Sequence, residues 1–143
     1  MNPLDFHKVA DNLVNQEGAA ELRSAISRAY YGTFLFCCKK INDLGFNLPR
    51  DATAHGEVSK YLNNCDIFKL KSAAYQLINL RSKRNSADYD LNNKKVEKIK
   101  NVKGNVLQAK KIVKTINDCF TKDSDQIALK IEDYRKNVLK LPN

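Results

Sequence analysis

The chain is poor both in residues that break helices and in residues that build common catalytic sites. Its 143 residues include five Gly and three Pro, and its valines recur at helical rather than alternating spacing. Two histidines are too few to build a histidine-based metal site, and no P-loop, G-x-G-x-x-G or H-E-x-x-H motif occurs. We therefore predict an all-α protein with no metal and no cofactor.

Long apolar runs and paired cysteine motifs are also missing. No run approaches the roughly 18 apolar residues of a membrane span, and the N-terminus has no apolar signal region. The four cysteines form no C-x-x-C pair, so we interpret them as small buried hydrophobic residues of a reducing compartment. These absences predict a cytoplasmic protein with no membrane partner.

Apolar residues at spacings of three and four predict helices over residues 3–15, 19–43, 53–63, 67–85, 95–120 and 124–139. Gly18, Gly45, the turn at 63–66 and the polar break at 91–93 separate them, and Asp66 is a candidate N-cap for the fourth helix. Short connections favour an antiparallel bundle. We predict one domain over 1–143, with 124–143 as an appended C-terminal helix.

The most informative segment is Leu80–Asp90, where a polar cluster follows an apolar run. On a helix, its charged and amide side chains would share one face, since they are three and four residues apart. One interpretation is a solvated helix end that carries an ordinary ion pair and runs into a loop at 88–90. The other is a functional site formed by Arg81, Arg84, Asn85, Asp88 and Tyr89.

The second helix holds another polar group, at residues 23–34. Arg28 lies in an apolar turn, and a buried arginine requires acceptors, so we expect it to pair with Asp88 or Asp90. Tyr31 lies one turn further on. His55 follows a loop, and it is either a surface residue or a polar group of the same pocket.

The third feature is a lysine face opposite the apolar stripe of the 95–120 helix. Between positions 94 and 114 there are eight lysines and one acid, Glu97. This face is either a solvated exterior or a phosphate-tracking surface for nucleic acid. Its members are Lys100, Lys103, Lys110, Lys111 and Lys114.

The polar segments together resemble a known family. The order S-R-A-Y-Y-G-T-F at 27–34, A-H-G at 54–56 and L-R-S-K-R-N-S-A-D-Y-D at 80–90 is similar to that of small prokaryotic HEPN-domain proteins. The resemblance covers roughly residues 5 to 120. It implies an up-and-down bundle of four to five helices and a homodimer with a shared cleft. It also implies a place in a toxin–antitoxin or defence system, in which many members are metal-independent ribonucleases.

The chain departs from the family signature, in which a histidine follows the site arginine by a few residues. From Arg81 or Arg84 that position falls on residues other than histidine, so whether catalysis survives stays open. The resemblance also makes Tyr89 similar to a tyrosine that a nucleotidyltransferase antitoxin adenylylates in some members.

Three hypotheses follow from these features. The first is a HEPN-domain protein that binds or cleaves RNA in a toxin–antitoxin or defence system. In it Arg81 and Arg84 contact phosphate, and Asn85, Asp88 and Tyr89 shape the site. The second is a non-catalytic HEPN module, in which Arg28, Arg84 and Asp88 form a structural network and the dimer binds a nucleotide or a partner such as a nucleotidyltransferase. The third is a plain helical assembly module.

Overall fold

The chain is helical throughout its ordered elements. A computed structural model describes residues 1–141, and those residues contain six α-helices, one 3-10 turn and no strand. The helices are α1 (Asp5–Gln16), α2 (Ala19–Asp43), α3 (Thr53–Asn63), α4 (Phe68–Tyr89), α5 (Ile99–Lys122) and α6 (Ser124–Asn137), and the 3-10 turn is Lys94–Glu97. The all-α prediction is confirmed. Six helices agree with the six ranges predicted from apolar spacing and are one more than the four to five that the resemblance implies.

Helix ends follow the sequence signals in most places. The helices α2 and α3 have the predicted bounds. The helix α1 ends at Gln16, and the next residue, Glu17, has a left-handed φ of 60° just before Gly18. Gly45, with φ 96°, closes the turn after α2 because a residue without a Cβ adopts this conformation at low cost. The C-terminal helix α6 was predicted to end at residue 139 and ends at Asn137. The predicted domain extends to residue 143, and its residues 142–143 lie outside the described part of the chain.

Two predictions at the ends of α4 are wrong. Asp66 does not cap the helix, which begins two residues later. Asp66 has φ 56°, and Lys130 binds its carboxylate at 2.9 Å. At the other end, the helix continues to Tyr89, so residues 88 and 89 are not part of a loop. The whole arginine segment therefore has fixed helical spacing.

The described chain divides into two compact units. The first consists of residues 1–36 and 76–113, and the second of residues 37–75 and 114–143. The helices α2, α4 and α5 contribute one part to each unit. The core of the first unit is formed by residues such as Ala10, Leu22, Ile26, Tyr30, Leu77, Leu80, Val102 and Ile112.

The second unit has its own buried core. Tyr61 of α3 is fully buried, and its ring meets that of Tyr134 edge-on at 5.8 Å, while its hydroxyl accepts a hydrogen bond from Arg135 at 2.9 Å. Three of the four cysteines, Cys37, Cys65 and Cys119, are buried as predicted, whereas Cys38 is half-buried. Burial raises the pKa of the Cys65 thiol to about 12. Cys65 therefore remains a neutral thiol and serves as a small apolar residue.

None of the helices in residues 1–141 combines the length and the apolar character that crossing a membrane requires.

Candidate functional site

The site arginine Arg84 is held on three sides within the first unit. Its Nη2 donates to the Tyr31 hydroxyl at 2.8 Å, and its Nη1 donates to the Asn85 amide oxygen at 2.8 Å. Its Nε lies 2.9 Å from Asp88 Oδ2, an ion pair without hydrogen-bond geometry. Ser27 donates to the same Asp88 oxygen at 3.2 Å. We call Ser27, Tyr31, Arg84, Asn85 and Asp88 the Arg84 network.

Aromatic rings enclose the guanidinium of Arg84. The Tyr31 ring centre lies 4.9 Å from its central carbon, and the Tyr89 ring centre lies 5.5 Å from it. A planar cation between π faces gains favourable electrostatic energy and loses mobility. The side chain of Arg84 is 11% exposed, so it is more an integral part of the α2–α4 contact than a free ligand-binding group.

Arg28 does not pair with Asp88 or Asp90, which corrects the sequence-based expectation. Arg28 is half-buried, and its guanidinium lies over the rings of Phe6 and Tyr31 at 5.2 and 5.3 Å. It therefore adjoins the Arg84 network through a shared tyrosine ring. Asp88 is engaged by Arg84 and Ser27 instead.

The buried arginine of α2 is Arg23, which the sequence reasoning did not single out. Its Nε donates to Glu97 Oε1 at 2.8 Å. Its two Nη atoms donate to the backbone carbonyls of Ser86, Ala87, Asp90, Leu91 and Asn93 at 3.0–3.3 Å. Ser86 and Ala87 lie in the last turn of α4, where carbonyls lack partners within the helix, and Asp90, Leu91 and Asn93 lie in the segment that follows. We call Arg23, its carbonyl partners and Glu97 the Arg23 network.

A signal for Arg23 was present in the sequence. Arg23 lies three residues before Ile26 and seven before Tyr30, so it shares the core-facing stripe of α2. Arg28 is five residues from Arg23, which turns it about 140° away from that stripe. The position on the stripe, rather than the number of apolar neighbours in the sequence, identifies the buried cation.

His7 of α1 is buried. Its Nε2 lies 3.1 Å from the Ala29 carbonyl and 3.0 Å from the Thr33 hydroxyl, and burial lowers its pKa. A Cβ at Gly32 would come within 2.6 Å of the imidazole, so the glycine makes room for it. The histidine of the first unit is thus a hydrogen-bonded core residue.

The remaining candidate residues are not members of the Arg84 network. Arg81 is half-buried in α4, and its buried Nε has no hydrogen-bond partner in residues 1–141. His55 is half-buried in α3 of the second unit. On α5, Lys110 binds both oxygens of Asp11 at 2.8 Å, Lys114 lies 3.5 Å from Asp118, and Lys111 is exposed.

Within residues 1–141, no group of three or more histidine, cysteine and acidic side chains is arranged to hold a metal ion. Comparison of the chain with protein-family models, with curated proteins and with solved structures finds no match.

Proposed function

We propose that the chain is a HEPN-type protein of a prokaryotic toxin–antitoxin or defence system that binds RNA or a nucleotide and leaves RNA intact. One observation carries the binding part. All eight lysines between positions 94 and 114 are exposed, whereas the acid among them, Glu97, is bound to Arg23. A surface with this charge distribution attracts phosphate groups and releases their counterions.

The Arg84 network supports the non-cleaving part of the proposal. A ribonuclease arginine must be free to bind the scissile phosphate, but Arg84 already bonds Tyr31, Asn85 and Asp88. Proton transfer near neutral pH is served best by a histidine, and His7 of the same unit bonds Ala29 and Thr33. The arrangement therefore favours the hypothesis in which Arg84 and Asp88 are structural.

RNA binding is tested by fluorescence anisotropy with a labelled single-stranded RNA across a salt series. We expect the logarithm of the binding constant to fall linearly with the logarithm of salt, by about 0.7 per phosphate contact. The triple variant Lys98→Gln/Lys103→Gln/Lys111→Gln should bind more weakly with a smaller salt slope. Its matched control is Lys60→Gln/Lys69→Gln/Lys122→Gln, which removes three exposed lysines of the second unit. Equal weakening by both variants would contradict the proposed surface.

The catalytic question has a separate test. Purified protein incubated with RNA in EDTA should leave the RNA intact, and Arg84→Ala should behave in the same way. RNA decay by the wild type that disappears in Arg84→Ala would overturn the non-cleaving proposal and establish the ribonuclease hypothesis.

One observation favours the second candidate, a dimerisation or protein-interaction module. The helix α4 exposes four large apolar side chains, Phe68, Tyr75, Ile78 and Tyr89, at 85, 68, 52 and 74%. Their spacing of seven, three and eleven residues places them on one face of the helix. Exposed apolar residues in a row mark interaction surfaces.

The module hypothesis predicts a homodimer by light scattering after gel filtration, and Tyr75→Ser/Ile78→Ser should convert it to a monomer. Leu107→Ser/Leu129→Ser provides a control, since these two exposed leucines lie on α5 and α6. A wild type that is monomeric at all concentrations would remove the homodimer, and the nucleotidyltransferase partner would then be tested by co-purification.

A further inference from the structure

A basic cavity lies within the first unit, on the flank of α4 that faces the start of α5. Its volume is about 490 Å³, which falls in the usual range of roughly 300–1,000 Å³ for small-molecule sites. Its walls come from α4, the 3-10 turn and the first turns of α5. On α4 the lining residues are Ser82, Lys83 and Ser86, which are on a different face of the helix from Arg84.

Three lysines line this cavity without an acidic partner. Lys83, Lys95 and Lys100 are exposed, and none of them forms an ion pair with a carboxylate of residues 1–141. Glu97, the nearest acid in sequence to Lys95 and Lys100, is bound to Arg23 at 2.8 Å. Like charges that share a concave surface raise its positive potential, and an anion relieves the repulsion.

The other polar groups of the cavity suit a ligand rich in oxygen. Asn93, Asn101 and Asn105 add amide groups to the two serine hydroxyls of α4. The wall formed by the 3-10 turn is held in place by two hydrogen bonds of 3.1 Å. Asn93 Oδ1 accepts from the Lys95 amide, and Asn101 Nδ2 donates to the Lys95 carbonyl. No aromatic residue is among the lining residues described, so the cavity has no platform for stacking a base.

Gly104 forms part of the wall, and packing does not require a glycine there. It lies inside α5 with an ordinary helical backbone, and a Cβ added to it would meet no atom within 4 Å. A glycine inside a helix costs about 1 kcal/mol relative to alanine. No contact within the protein compensates for this cost. A ligand that occupies the open space beside Gly104 would explain why a glycine is present there.

We propose that this basic cavity is a phosphate-binding site, which takes either the chain of phosphates of a nucleotide or the phosphodiester backbone of RNA. The lysines supply charge, and the serines and asparagines supply hydrogen bonds to phosphate and sugar oxygens. Arg23 is a positioning residue, because it bonds the Ser86 and Asn93 carbonyls in the two walls. The inference rests on the proposed function only for the source of the phosphate.

The direct probe is inorganic tripolyphosphate, followed by amide chemical shifts of the labelled protein and by calorimetry. We expect shifts at Gly104, Asn101 and Asn105. The variant Lys83→Gln/Lys95→Gln/Lys100→Gln should bind about tenfold more weakly or worse, since each lost charged contact removes a sizeable part of the binding free energy. The control triple Lys60→Gln/Lys69→Gln/Lys122→Gln removes the same charge and should bind like the wild type. Equal weakening by both triples would show diffuse attraction and overturn the site.

A second variant tests the shape of the cavity with no change of charge. Gly104→Leu places a side chain into the open space and should abolish tripolyphosphate binding, while circular dichroism shows an intact fold. Gly56→Leu is the matched control, because Gly56 is the other helical glycine whose added Cβ meets no atom within 4 Å. Wild-type affinity in Gly104→Leu would overturn the proposal.

Competition between tripolyphosphate and an oligouridylate twelve nucleotides long distinguishes the two sources of the phosphate, a nucleotide and the backbone of RNA. If the RNA displaces tripolyphosphate and the cavity triple weakens RNA binding, the backbone of RNA is the ligand. If tripolyphosphate binds in the cavity and RNA does not displace it, the ligand is a nucleotide-type polyphosphate, even where the proposed RNA function fails. Absence of tripolyphosphate binding to the wild type overturns the cavity site itself.

Discussion

The two flanks of the C-terminal half of α4 differ in whether their cationic side chains have partners within the fold. On the flank towards α2, the guanidinium of Arg84 is bonded to Tyr31, Asn85 and Asp88 and is 11% exposed. On the flank towards α5, Lys83 and its two cavity neighbours are exposed and have no carboxylate partner in residues 1–141. A cation whose bonds are made within the fold contributes to stability, and a cation without a partner is available to a ligand. We therefore propose the flank towards α5, and not the flank towards α2, as the place where a ligand binds.

The largest expected effect on stability concerns the Arg23 network, which includes Ser86 and Asn93 of the cavity walls. Arg23→Ala should lower the free energy of unfolding by about 3–5 kcal/mol, because it leaves Glu97 with only the exposed Lys94, 3.9 Å away, and removes donors from five carbonyls. Urea unfolding followed by circular dichroism measures the loss. Arg28→Ala is the control, since Arg28 lies half-buried over two rings, and its removal should cost less than about 1 kcal/mol. Similar losses in both variants would contradict the special position of Arg23.

The next effect tests whether Arg84 is structural. Arg84→Ala should destabilise the protein by about 1–3 kcal/mol through loss of its bonds to Tyr31 and Asp88, and it should leave tripolyphosphate affinity unchanged. Stability is measured by urea unfolding and affinity by calorimetry. If Arg84→Ala has unchanged stability and no longer binds tripolyphosphate, Arg84 is a binding residue and not a structural one.

A smaller effect on the free energy of unfolding, an increase, is expected for a substitution at Gly104. Gly104→Ala should stabilise the protein by about 0.5–1 kcal/mol, because the helix gains propensity and the new methyl group meets no atom within 4 Å. A higher melting temperature in thermal unfolding is the measurement. At Gly32 the same substitution should destabilise, since its Cβ would clash with the imidazole of His7.

The smallest effect on stability belongs to the lysines of the cavity. Neutralising Lys83, Lys95 and Lys100 together should change the free energy of unfolding by less than about 0.5 kcal/mol per residue, because exposed side chains without partners contribute little. Reduced repulsion among them should make the change slightly stabilising at low salt. Urea unfolding at two salt concentrations measures it, and a large loss would mean that these lysines have structural partners.

Much of the fold was predictable because helices leave a periodic signal. The apolar positions assigned to α2, namely Leu22, Ile26, Ala29, Phe34 and Ile41, are all buried. The stripe of α5 holds at five of its seven positions, because Val102, Val106, Ala109, Ile116 and Phe120 are buried, while Ile99 and Val113 are half-buried. The lysines of α5 lie on the opposite, exposed side. These predictions succeed since burial of one helix face depends on spacing that the chain itself displays.

The candidate site was predictable only in part. The local pair of Arg84 and Asp88 follows from helical spacing, and it is present at 2.9 Å. The assignment of the buried arginine failed, because Arg23 and Arg28 have similar neighbours in sequence and differ in their direction from the axis of α2. HEPN membership, RNA or nucleotide binding and the homodimer remain proposals.

The sequence by itself determined the helices, their apolar faces and the surplus of lysine after residue 93, because each depends on residue type and on spacing along one chain. Tertiary structure alone decided which cations are bound within the fold. Arg23 and Glu97 are 74 residues apart in sequence, and Arg84 and Tyr31 are 53 apart. Electrostatic and hydrogen-bond energies depend on distances between atoms in space, and only the packing of one helix against another sets those distances.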